Sequence, residues 1–268
     1  MINLPEKIET RARFMIRSAW VTMGIPFDVP MVNEKREGII DVEALFMATF
    51  LFMGQDRMVT DLPAWIIRFK DIINHQKLKS MFKSCPEKNK RTIYKNLNHD
   101  PFGATPGSFK RVFGLKSLPS REMIQTIERR SSKLNSLDHV AQTSIMLKNR
   151  LLYGTGFRAD LITITQIKNI KMNGKQLATL LCTADSTISR ILNDLRSCKF
   201  LDQDNERIGL ANSYPSMFIS TQTILNLYEI IDAEEFRSEE LKRDAYKNIS
   251  FKNDRFCMQL LSSFASRL

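Results

Sequence analysis

From Ala44 to Met53 the chain reads ALFMATFLFM, with no charge and with Thr49 as its single hydroxyl. Wound into a helix, the run places Phe46, Phe50 and Met53 around Leu45, Ala48 and Phe52, which leaves no side for water. It is far short of the roughly 20 apolar residues that cross a bilayer. Such a helix has to be enclosed by other helices, and Asp41 stands where it can cap the first turn. The N-terminal part of the chain, residues 1–135, is therefore expected to be a helical domain built around this run.

Its neighbours supply the enclosure. Pro5 to Met23 sets Ile8, Ala12, Met15, Ile16, Ala19 and Met23 on one face, with Arg11, Arg13 and Arg17 off it, and Gly24 and Pro26 close the pattern. Thr60 or Asp61 opens a third helix with Pro63 in its first turn, where a missing N–H costs nothing. Trp65, Ile66, Phe69, Ile72 and Ile73 pack it on the second. Two further helices, Gln76 to Ser84 and Pro86 to Leu97, carry Lys77, Lys79, Lys83, Lys88, Lys90, Arg91 and Lys95 beside a thin apolar stripe.

Residues 98–119 then hold Pro101, Gly103, Pro106, Gly107 and Gly114 among Phe102, Phe109 and Phe113, the composition of a long irregular loop anchored by aromatics. The interleaving in Phe109-Lys110-Arg111-Val112-Phe113 can also stack on and neutralise nucleic acid; anchoring to the domain is the stronger reading. Ser120 begins a helix through Lys133, and Leu137 to Leu152 makes one longer helix that joins the halves and presents Arg150 near the C-terminal one. Gly154 and Gly156 end it.

The stretch from Gly156 to Leu210 carries the functional signal. Phe157 to about Lys168 forms a helix with Phe157, Leu161 and Ile164 on one face, and Asn173 and Gly174 interrupt it. Lys175 to Leu181 forms a short second helix burying Leu177, Leu180 and Leu181, and Cys182-Thr183-Ala184 makes a tight corner. Asp185 is expected to cap the third helix, whose buried stripe is Ile188, Ile191, Leu192 and Leu195. The opposite face shows Ser186, Thr187, Ser189, Arg190 and Asn193, groups that bond to phosphates and base edges. Phe200-Leu201, a polar turn from Asp202 to Glu206, and Arg207 to Leu210 read as strand, turn and strand.

With KQLATLLCTADSTISRILNDLRSCKFLD at its centre, this stretch resembles the winged helix-turn-helix family of prokaryotic transcriptional regulators. RLLYGTGFRADLITIT and VEALFMATFLFMGQDRMVTDLPAWIIRF look like a group of prokaryotic regulators in which a helical N-terminal domain precedes a winged helix. The resemblance implies a mainly α fold: helical domain, winged helix-turn-helix of three helices and a small β-hairpin wing within 136–212, and a helical tail over 213–268. It implies that Ser186, Thr187, Ser189, Arg190 and Asn193 face the major groove, and that the wing near Asn205 and Arg207 touches the DNA backbone. Lys175 and Lys199 are further backbone candidates. The wing turn holds Asp202, Asp204 and Glu206, which phosphate repels unless they point away.

The formal charge of +11 favours polyanionic partners. It is uneven: residues 66–135 hold 16 Lys or Arg against 5 Asp or Glu, whereas residues 1–65 hold 7 against 9. The middle of the chain is thus a second candidate for holding phosphate, beside the plainer reading of a solvated lysine surface. Cys85, Cys182, Cys198 and Cys257 are scattered, and no signal peptide is legible ahead of the first helix, so a cytoplasmic protein with reduced thiols is expected. Cys182 and Cys198 fall in or beside apolar stripes, as small core residues do.

A catalytic site is not expected. His75, His99 and His139 fall in separate segments with no metal-ligand spacing. Gly154-Thr155-Gly156 lacks the strand, third glycine and distal acid of a dinucleotide fingerprint, and Pro106-Gly107-Ser108 lacks the aspartate pair of a nucleotidyltransferase loop. No cofactor or metal is expected. The sequence thus points to a double-stranded DNA-binding regulator; the tail stripes Ile224, Leu227, Tyr228, Ile231 and Cys257, Leu260, Leu261, Phe264 either pack within the chain, as such stripes usually do, or pair two copies, as the resemblance to this class of regulators implies. The alternative is an adaptor or antitoxin-like subunit whose winged helix binds a protein; RNA is a third partner to test.

Overall fold

The computed structural model describes residues 4–26, 40–54, 56–97, 100–166 and 172–205. Among them the fold is mainly helical, with no strand. The order is α1 (Leu4–Thr22), α2 (Val42–Phe52), α3 (Leu62–Arg68), α4 (His75–Ser84), α5 (Glu87–Leu97), α6 (Gly107–Phe113), α7 (Arg121–Ser131), α8 (Leu137–Thr143), α9 (Ile145–Tyr153), α10 (Phe157–Thr165), α11 (Gly174–Leu180) and α12 (Asp185–Ser197). No helix among the described residues is long and apolar enough to cross a membrane.

Every residue of α2 is buried. Asp41 caps it, its carboxylate accepting from the Ala44 N–H at 3.2 Å. Thr49, the run's one hydroxyl, donates to the Leu45 carbonyl at 2.7 Å and accepts from Trp20 Nε1 at 2.7 Å, so its burial costs no lost hydrogen bond. Around it Phe46 meets Trp20, Trp65 and Phe109, and Phe50 meets Phe102 and Phe113, at ring separations of 5.1 to 5.8 Å. Most of these pairs are edge-on, the arrangement that ring quadrupoles favour.

Gly24 closes α1 with φ +90, a conformation that suits glycine. A Cβ there would stand 3.0 Å from Asn135 Cβ, and the Gly24 carbonyl accepts from the Asn135 N–H at 3.0 Å, so this turn fixes α1 to the link between α7 and α8.

Two expected elements differ. Where an irregular loop was expected over 98–119, the described residues 100–119 are largely ordered into a 3₁₀ turn (Asp100–Ala104) and α6. Pro106 and Gly114 bracket a short helix, with Gly114 at φ +64 as its left-handed end and the Leu115 N–H closing on the Lys110 carbonyl at 3.0 Å. Phe109 and Phe113, four residues apart, are buried on its inner face, so neither ring is open for a base to stack on. The single helix expected over 137–152 is also divided. Ser144 is extended (φ −128, ψ 105), ending α8 and starting α9. The break lets Thr143 Oγ1 donate to the Thr22 carbonyl at 2.8 Å while Asn149 and Arg150 turn inward.

The core falls into two apolar clusters. One gathers α1 to α8; the other joins Met146 to Leu161, Ile164, Leu177, Leu181, Ile188, Ile191, Leu192, Leu195 and Leu201. Helix α9 is the seam, since Leu147 belongs to the first and Met146 to the second.

Candidate nucleic-acid interface

Helix α11 starts with a capping box. Asn173 Oδ1 accepts from the Gln176 N–H, and Gln176 Oε1 accepts from the Asn173 N–H, both at 2.9 Å. Asn173 and Gly174 therefore begin the helix rather than merely interrupting a pattern. The helix ends in a left-handed turn at Cys182 (φ 52), where the Cys182 N–H donates to the Thr179 carbonyl at 3.1 Å and the Thr183 N–H to the Ala178 carbonyl at 3.0 Å. Chain direction changes within three residues, and α12 begins.

The N-cap of α12 is Ala184, without a side-chain bond, and Asp185 is the first helical residue. The expected Asp185 cap is thus corrected: extended geometry falls one residue earlier, and the carboxylate sits in the first turn, where the helix dipole favours an anion. Ile188, Ile191, Leu192 and Leu195 are buried as expected, and Ser186, Ser189, Arg190 and Asn193 are exposed. Their spacing of three, four and seven places them on one face; Thr187 is half-buried at its edge. Asp194, four residues after Arg190, is bonded by Arg158 of α10 at 2.9 Å. Asn193 Oδ1 accepts a long bond of 3.4 Å from Arg196, whose other nitrogen donates to Asn205 Oδ1 at 2.6 Å.

Lys175 is exposed in the first turn of α11. Lys199 is exposed at φ 57, in the left-handed position just past α12, where its N–H donates to the Arg196 carbonyl at 2.9 Å and the Phe200 N–H to the Leu195 carbonyl at 2.8 Å. Phe200 and Leu201, expected as the first wing strand, are held against the helix end. Arg207, the second wing strand and the tail helices lie outside the described residues, as do His99 and Cys257. Helix α10 ends at Thr165 with Gln166 as its C-cap, short of the end expected near Lys168. Cys198 is exposed rather than a core residue, because it is the C-cap of α12, where the stripe has already turned away.

The largest feature absent from the sequence reading is a buried charge cluster. Lys77, expected on a solvated face, is buried, and so is Arg150, which meets the C-terminal module, near which it was expected, at Asp160. Arg150 uses its whole guanidinium: Nε donates to Asp160 at 2.7 Å, NH2 to Asp160 at 2.8 Å and to Glu43 at 2.6 Å, and NH1 to Glu43 at 2.8 Å and the Ile72 carbonyl at 2.9 Å. Lys77 donates to Asp41 at 2.7 Å and Asp160 at 3.2 Å. The five residues come from the entry of α2 and from α4, α9 and α10, so the cluster fastens the first helix of the candidate module to the N-terminal helices.

Burial pushes the Glu43 carboxyl above its ordinary range, against Arg150 and Lys77. Burial also opposes the charge on Asp160, but there Arg150 and Lys77 prevail and hold it below the usual range. Lys77 is held above its ordinary range: desolvation disfavours the ammonium, but Asp160, Asp41 and Glu43 outweigh it. Three members are charges beside apolar helical neighbours: Lys77 beside Leu78, Asp160 between Ala159 and Leu161, and Glu43 just before the uncharged run that starts at Ala44. That misfit was the available signal. Sealed and internally paired, the cluster offers no open valence to a ligand.

Among the described residues no group of three or more His, Cys, Asp or Glu side chains could hold a metal ion. No protein-family model matches the chain, and neither a characterised protein nor a solved structure matches it.

Proposed function

We propose that the chain is a winged helix-turn-helix protein that binds double-stranded DNA through α12 and regulates transcription. The observation that carries the reading is the outer face of α12. Ser186, Ser189, Arg190 and Asn193 stand exposed along it, directly after a corner fixed by backbone bonds, while the opposite stripe is locked into the core. A helix held so firmly on one side and polar on the other suits a major groove, whose base edges and flanking phosphates both take such donors.

In this reading Arg190 is the leading base or phosphate contact, and Ser186, Thr187 and Ser189 support it. Asn193 is weaker, since Arg196 shares its amide oxygen. Lys175, Lys199 and Arg207 contact the backbone, and two copies of the chain place two α12 helices about one DNA turn apart. Duplexes selected from a random pool test the reading. The full chain should prefer the selected duplex over a scrambled one, and Arg190→Ala should cost about 1 to 3 kcal/mol of that preference, with a smaller loss for Thr187→Ala. No preference in the wild-type protein, or one indifferent to both substitutions, would remove α12 from the role.

A second reading, a protein-binding adaptor, is favoured by one observation. Leu151, Leu152 and Tyr153 are exposed at the end of α9, and Tyr153 lies edge-on to Phe200 at 6.2 Å. Enrichment of no duplex at all would favour it.

A further inference from the structure

Several cations elsewhere on the surface sit directly on an acid. Arg17 pairs with Asp56, Arg130 with Asp61 and Arg158 with Asp194. Helices α4 and α5 hold a concentrated excess of positive charge. On α4, Lys79 and Lys83 are exposed four residues apart. On α5, Lys88, Arg91 and Lys95 are exposed at a spacing of three and seven, one stripe about 10 Å long. Between residues 76 and 97 the only acid is Glu87, and its carboxylate accepts from Lys90 at 2.7 Å. Residues 76–97 therefore carry a formal excess of positive charge, seven Lys or Arg against one Glu.

Its position matters as much as its charge. Cys85 joins α4 to α5, between Lys83 and Lys88. Cys182, at the corner before α12, packs against the N-terminal apolar cluster to which Cys85 belongs. Burial pushes the Cys85 thiol up to about 11, with Cys182 adding to the shift and Lys90 opposing it. The corner that aims α12 and the α4–α5 junction thus pack on the same apolar cluster, with Lys83 and Lys88 flanking the junction and α12 following the corner, its N-terminal end being the one a recognition helix directs at base edges.

We infer that Lys83, Lys88, Arg91 and Lys95 form a second duplex-contacting surface, which holds the phosphates of one strand beside the groove that α12 enters. A stripe of about 10 Å covers roughly three charges of one DNA strand. Such contacts carry no sequence information; they fix register and supply salt-dependent affinity. The inference rests on the reading of α12 as the recognition helix and adds the strand-holding surface to it.

The test is titration of the full chain with the selected and the scrambled duplex across a series of salt concentrations. Replacing Lys88, Arg91 and Lys95 together with serine should lower the slope of log affinity against log salt by about 2 to 3. At 0.1 M salt affinity should fall on the order of a hundredfold, by the same factor on both duplexes, so that the Arg190-dependent preference survives and shows the variant to be folded. The charge-preserving set Lys88→Arg, Arg91→Lys and Lys95→Arg should restore the slope. An unchanged slope in the serine variant, alongside an intact effect of Arg190→Ala, overturns the inference and leaves α12 standing. A wild-type protein with no duplex preference overturns the α12 reading first and the inference with it. Loss confined to competing hairpin RNA, with duplex slope intact, also overturns it, since the stripe would then serve another nucleic acid.

Discussion

The junction of α2, α4, α9 and α10 and the outer face of α12 draw on the same chemistry, a guanidinium among polar partners, and put it to opposite use. At the junction Arg150 is sealed from water and spends every donor on Asp160, Glu43 and the Ile72 carbonyl. On α12, Arg190 is exposed. A buried guanidinium is tolerated only while its partners stay in place, so it constrains the fold. An exposed one contributes little to folding and keeps its donors for a ligand. Composition alone gives both residues the same weight in a net charge of +11. Burial assigns one to architecture and the other to recognition.

The most severe way to break that contrast is Arg150→Met, which strands Glu43 and Asp160 without their main partner. The expected loss is about 3 to 5 kcal/mol in urea unfolding, because the remaining charges stay buried and unpaired. Trp20 and Trp65 lie in the N-terminal cluster, so their fluorescence should shift together with far-ultraviolet circular dichroism if the junction couples both clusters. A loss below about 1 kcal/mol, the range of exposed pairs, would mean that the cluster is open to water in solution.

Acid sharpens the same point within the cluster. Asp160 is held below its ordinary value of 3.8, so its contribution to stability is complete above that value and disappears as pH falls through the lower folded-state value. Glu43 has the opposite sign. Raised above 4.5, it stabilises the fold most below that pH, and the contribution fades as pH rises through its folded-state value. Asp160→Asn should therefore flatten the acid limb of the stability profile below about pH 4, whereas Glu43→Gln should gain on the wild type as pH rises from 4.5 toward neutrality. Parallel profiles for the two variants would contradict the opposed environments of the carboxyls.

These residues also mark where the sequence stops being legible. The apolar α2, the stripes of α4 and α5 and the two faces of α12 follow from local spacing, and each is present. The charge cluster does not, because Arg150 meets Glu43 from 107 residues away and Lys77 meets Asp160 from 83. No window of helical periodicity contains both partners, so local spacing shows at most that a charge falls among apolar residues, not what it meets. Helix α6 was hidden differently: its prolines and glycines are end signals of a very short helix, and such signals crowd the few residues between them. At the candidate interface, the exposed face was legible from spacing, while the left-handed turns at Cys182 and Lys199 were not, since neither residue advertises that conformation.

The exposed side of the contrast is tested by stability rather than by affinity. Arg190→Ala should leave the unfolding midpoint within about 0.5 kcal/mol of wild type, as surface substitutions do. A larger loss would mean that Arg190 helps to hold α12 in the fold.

The finest distinction is available at Lys199, where both roles meet in one residue. Its backbone is left-handed (φ 57), a conformation that strains a residue with a Cβ, while its side chain is exposed beside the end of α12. Lys199→Gly removes the strain and the charge together; Lys199→Ala removes only the charge. Both should weaken duplex binding by a similar factor of less than about ten, as the loss of one phosphate contact does. Only the glycine variant should also unfold later, by a few tenths to about 1 kcal/mol, the relief being partly offset by the greater freedom of glycine in the unfolded chain. Equal binding losses with unequal stabilities would show that backbone strain and phosphate contact at this position are separable. A glycine variant less stable than the alanine variant would show that the chain does not take the left-handed turn there, and the path from α12 toward Arg207 would then need another geometry.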